Sequence, residues 1–137
     1  MKQFIVLAAV LPILFIFVMQ FSADQINNAK IGSLSDIVYS AKEEAKQEGC
    51  FSEELQEKMR TRISRQLGIP ENEIEIDADT DVKYRTFDDY QRGLIHYKVK
   101  VPIKGAAAGA GLLGIREEEN MYYYVIDSYT ASERLEQ

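Results

Sequence analysis

From Phe4 to Met19 the chain reads FIVLAAVLPILFIFVM without one polar side chain, and Phe21 carries the run past Gln20. Written as helix, the eighteen residues Phe4–Phe21 span about 27 Å at about 1.5 Å per residue, close to the roughly 30 Å hydrocarbon core of a bilayer. This segment constrains the chain more than any other, because it is either retained as an anchor or removed as a secretory signal. A signal usually has a shorter apolar core followed by small residues at the cut. Here the only suitable exit is after Ala23, with bulky Phe21 two positions before it. No cysteine follows the run, so a lipoprotein anchor is excluded. Lys2 and the amino terminus place positive charge on the near side, which predicts a cytoplasmic amino terminus and an extracytoplasmic remainder. Pro12 lies mid-run. It reads either as a proline tolerated in a membrane helix or as a site where the helix bends while packing against copies of itself.

Composition removes several functions. A net charge of -6 leaves no basic patch for nucleic acid and no electrostatic hold on a membrane surface. One cysteine, Cys50, cannot make an intramolecular disulfide, and one histidine, His96, cannot make a histidine cluster. An enzyme built on this chain would have to use carboxylates, tyrosines or lysines alone.

Beyond the run the pattern becomes amphipathic. Ile26, Lys30, Leu34, Ile37, Ala41 and Ala45 recur at spacings of three and four, flanked by Ala29 and Val38, with Asn27 and Asn28 on the polar side. Gly32 weakens this pattern without stopping it, and Gly49 supplies a helix stop. One helix is therefore expected over 3–48, its first half (1–22) a transmembrane anchor and residues 23–137 an extracytoplasmic head. A second helix should start at Ser52, with Glu53 and Glu54 on the positive end of its dipole. It should bury Leu55, Met59, Ile63 and Leu67 and close at Gly68.

From Ile74 the period becomes two. Ile74, Ile76, Ala78, Thr80 and Val82 face one way and Glu75, Asp77, Asp79 and Asp81 the other. Val82, Tyr84 and Thr86 continue this strand or begin another, DDYQRG reads as a turn, and LIHYKVKVPI and NMYYYVIDSYT read as strands. The fold class is α+β: a long N-terminal helix, a second helix, and a small antiparallel sheet of three to four strands packed by one face on the helices.

Candidate sites are few. Asp77, Asp79 and Asp81 have the spacing that opens a calcium loop, but Val82 stands where such a loop needs glycine, and a strand explains the alternation. Gly109, Gly111 and Gly114 match a dinucleotide fingerprint that lacks its βαβ context. His96 reads as a surface strand residue. Cys50 reads as a small buried hydrophobe or as a thiol that dimerises the chain. Tyr122, Tyr124 and Ile126 share one face of the last strand and are the expected partner surface.

The short basic start, the apolar helix with Leu11-Pro12, its amphipathic extension and the small sheet resemble type IV pilin-like architecture. More narrowly, FIVLAAVLPILFIFVMQF and YKVKVPIKGAAAGAGLLGIREEENMYYYVIDSYTASERLE are similar to TadE/TadF-like minor pilins of Tad (Flp) pilus systems. Members carry a glutamate six residues before the proline; here Val6 holds that place and only MKQFI precedes it. The resemblance implies a non-enzymatic, membrane-retained pilus or secretion assembly component without cofactor, substrate or nucleic acid. Its partners would be the cytoplasmic membrane and other pilin-like subunits, met through Phe4, Val6, Pro12, Phe15, Phe17 and Phe21. The alternative is a secreted or membrane-tethered extracytoplasmic binding module with a cleaved signal peptide.

Overall fold

A computed structural model describes residues 1–136. The elements are helices α1 (Lys2–Glu48) and α2 (Glu53–Leu67) and strands β1 (Glu75–Ala78), β2 (Leu94–Lys104) and β3 (Met121–Ala131). Short 3-10 turns cover Glu71–Glu73, Tyr90–Gly93 and Ala110–Leu113. The fold is α+β, with one antiparallel sheet in the order β1-β2-β3. The chain divides into two compact units: Met1–Ala29 with Ile103–Tyr122, and Lys30–Pro102 with Tyr123–Gln137. Helix α1 contributes its first half to one and its second half to the other.

In the second unit, α1 buries Leu34, Ile37, Val38, Ala41 and Ala45, the expected stripe. Helix α2 buries Leu55, Met59, Ile63 and Leu67. Its start is held by Ser52, whose Oγ accepts from the Leu55 N–H (3.2 Å), and its end by Gly68 in the left-handed region. Strand β2 buries Ile95, Tyr97, Val99 and Val101, and Ile76 and Ala78 pair with Val99 and Tyr97, so β1 and β2 show one apolar face to the core. Each fully buried aliphatic side chain of this kind is worth about 1.5–3 kcal/mol.

Phe51, in the connection between the helices, is fully buried with its ring 5.3 Å from that of Tyr97. The turn that places it is Gly49, whose φ of +86° follows the last turn of α1. Gly49 N–H donates to Ala45 O (2.7 Å), and Gly49 O accepts from Lys83 N–H (2.7 Å). A Cβ at this position would lie 2.4 Å from the Lys83 carbonyl oxygen.

Two sequence expectations change. The strand expected from Ile74 to Val82 ends at Ala78, because Asp79 stops its own ladder. Asp79 N–H donates to His96 O (3.0 Å), but the reciprocal His96 N–H is taken by the Asp79 carboxylate (2.9 Å). The freed Asp79 carbonyl accepts instead from Phe51 N–H (2.9 Å). Residues 82–86 therefore form no further strand; Lys83 and Arg85 donate their amides to Gly49 O and Arg134 O. In the first unit, Ile26 is exposed and Asn27 is buried, the reverse of the expected faces, because the Asn27 amide reaches Gly105 O (3.4 Å).

Gly49→Ala and Gly68→Ala separate strain from collision. Both force alanine into left-handed backbone, costing about 1–2 kcal/mol, and nothing lies within 4 Å of a Cβ at Gly68. Gly49→Ala meets the Lys83 carbonyl as well, so it should cost about 3 kcal/mol or more. Urea unfolding of the full chain in detergent, followed by circular dichroism, should rank the two in that order.

Candidate functional site

The first unit presents the apolar run. Phe4, Val6, Phe15, Phe17 and Phe21 are each more than 60% exposed, and Pro12 is exposed among them. Proline has no N–H, so the Ala8 carbonyl lacks its intrahelical donor. By length and composition the helix is able to cross a membrane, and none of its apolar window is buried within the chain. Near the end of the run stands Gln20, which does two things at once. Its Nε2 donates to Ala106 O (3.1 Å) and its Oε1 accepts from Ala108 N–H (2.8 Å).

These bonds fix the segment between β2 and β3. Asn120 closes its base: the backbone carbonyl accepts from Gly105 N–H (2.9 Å) and the side chain exchanges two bonds with Ala107 (2.7 and 2.9 Å). Gly109, Gly111 and Gly114 of the fingerprint-like motif lie here, in and around a 3-10 turn. Gly109 and Gly114 take left-handed backbone at its two ends. The Gln20 contacts were not legible in the sequence, because one polar residue near the end of an apolar run has no period to detect.

The second unit presents the outer face of the sheet. Glu75 lies opposite Lys100, with Oε2 and Nζ 3.8 Å apart, and Asp77 lies opposite Lys98. Lys100 Nζ also sits 4.3 Å from the Tyr123 ring centroid. His96 Nε2 donates to Asp127 Oδ1 (2.6 Å), and its ring lies 4.9 Å from that of Tyr129. Asp77, Asp79 and Asp81 do not converge: the first faces lysine, the second holds a backbone amide, and the third lies past the strand end. Among the described residues, no group of three His, Cys, Asp or Glu side chains is placed to hold a metal.

Of the expected partner surface, Tyr122 is exposed while Tyr124 and Ile126 are half-buried. Tyr123, Val125 and Tyr129 are the more exposed apolar side chains of β3. The His96–Asp127 pair was missed in the sequence because its members lie 31 residues apart. Compared with protein-family models, with curated proteins and with solved structures, the chain finds no match.

Cys50 is buried behind Gly49. Burial pushes its thiol pKa up, the negative charge of Glu48 adds to this, and Arg134 opposes it. A raised pKa keeps the thiol protonated and slow toward electrophiles. The folded chain should therefore react with iodoacetamide at neutral pH far more slowly than the urea-unfolded chain, as followed by mass spectrometry. The same shift means that folding stability falls as pH rises past the free-thiol value, since only the unfolded chain then ionises readily.

Proposed function

We propose that the chain is a non-enzymatic, membrane-anchored structural or assembly component of the pilin-like kind, as its resemblance to TadE/TadF-like minor pilins suggests. The amino terminus faces the cytoplasm and the α+β head lies outside. The anchor packs in the cytoplasmic membrane against other apolar helices, and the head offers its sheet to neighbouring pilus or secretion subunits.

One observation carries the reading. A single helix, Lys2–Glu48, has an uncovered apolar first half and a second half that supplies core residues. Cleavage after Ala23 would remove Gln20, and with it two of the bonds that hold the segment after β2. A helix that is structural on both sides of the cut fits retention better than removal. The non-enzymatic part rests on composition, one histidine and one cysteine.

Carbonate extraction of cell membranes with intact-mass measurement tests the proposal. The full-length mass should stay in the membrane pellet, and a soluble product beginning near Asp24 would overturn the proposal in favour of an exported binding module. Leu14→Arg places a charge mid-span at a cost of about 2.5–3.5 kcal/mol for insertion. It should move a large share of the protein to the carbonate supernatant.

A further inference from the structure

The segment that follows β2 advances along the first half of α1 in a definite direction. Gly105 O is held by Asn27, and Ala106 and Ala108 are held by Gln20. Those seven helical residues correspond to about 10 Å at about 1.5 Å per residue. The chain thus runs toward the apolar span as it goes from Gly105 to Ala108. The next turn rests on Ala110, which is 4% exposed, and holds Leu112 and Leu113 out at 88% and 77%. With Gly109 and Gly114 shaping the turn and Asn120 closing its base, the leucines are presented by a hydrogen-bonded scaffold.

We infer that Leu112 and Leu113 form a second membrane contact, a shallow foot entering the boundary between headgroups and acyl chains beside the end of the α1 span. The inference rests on the anchored reading above. Lipid is the occupant because the leucines belong to the same compact unit as the uncovered span, on a segment running toward it. Glu117, Glu118 and Glu119 follow after Gly114, Ile115 and Arg116 and outnumber that one arginine, so the contact is apolar and gains nothing from anionic headgroups. The foot gives the unit two points of attachment, and so restricts rotation about the axis of α1.

The test uses the full chain carrying Cys50→Ala in phosphatidylcholine vesicles. Phe15→Cys, Leu112→Cys and Leu135→Cys variants each carry an environment-sensitive fluorophore; Leu135 is an exposed position of the other unit. Phe15 and Leu112 probes should be quenched by a nitroxide at shallow acyl depth and shielded from aqueous iodide, with the Leu135 probe showing the opposite. Adding phosphatidylserine should not strengthen the Leu112 signal, and Leu113→Gln should raise its iodide quenching severalfold. A Leu112 probe open to iodide while Phe15 is lipid-quenched would overturn the foot and leave the anchor standing. A Leu112 probe shielded from iodide yet untouched by the lipid nitroxide would overturn it in favour of a protein partner. A Phe15 probe open to iodide would remove the anchored reading and the foot together.

Discussion

The second unit depends on the backbone reversal at Gly49. A helix that carries core residues to its last turn must release the chain without occupying the space in which the next segment packs. Only a residue without Cβ turns there, because the Lys83 carbonyl fills the place that a side chain would take. The reversal delivers Phe51 into the centre of the core, where its amide takes the Asp79 carbonyl. One left-handed residue thus joins α1, the start of α2, the end of β1 and the segment that follows it. Packing and backbone hydrogen bonding meet at the same few atoms, so neither can be altered alone.

The two units handle apolar surface in opposite ways. The second buries its large aliphatic side chains between helices and sheet and leaves a charged, aromatic outer face, where Lys100 serves Glu75 and Tyr123 together. Exposed pairs of this kind contribute at most about 1 kcal/mol each, so the outer face adds register and solubility more than stability. The first unit has few buried side chains and holds its shape by polar bonds from Gln20, Asn27 and Asn120. With so little burial in this unit, directed hydrogen bonds position the segment that lies along the helix.

The helices and β2 were legible in the sequence because each repeats a period over many residues. Leu55, Met59, Ile63 and Leu67 mark one stripe, and Ile95, Tyr97, Val99 and Val101 mark one face. The early end of β1 was not legible: EIEIDADTDV alternates well past Ala78, and only the reach of one carboxylate to His96 N–H stops the ladder. Asn27 was misplaced because periodicity assigns a polar residue to water, while a facing carbonyl made burial affordable. Phe51 looked like loop, since a single aromatic between two helices carries no pattern. Of the candidate sites, the exposed apolar span could be read directly, whereas Gln20 and the His96–Asp127 pair depend on partners distant in the chain.

The closure made by Asn120 has a consequence for how such a chain can vary. Because Gly105, Ala106 and Ala107 are all tied to Asn120, the two ends of the intervening segment are held together whatever lies between them. Lengthening a loop that is already closed is inexpensive, about 0.6 kcal/mol for each doubling. The residues between Ala108 and Asn120 therefore tolerate a change of length at little cost. An insertion there leaves the strands on either side with their pairing, while the bonds from Gln20 and Asn120 keep its two ends in place.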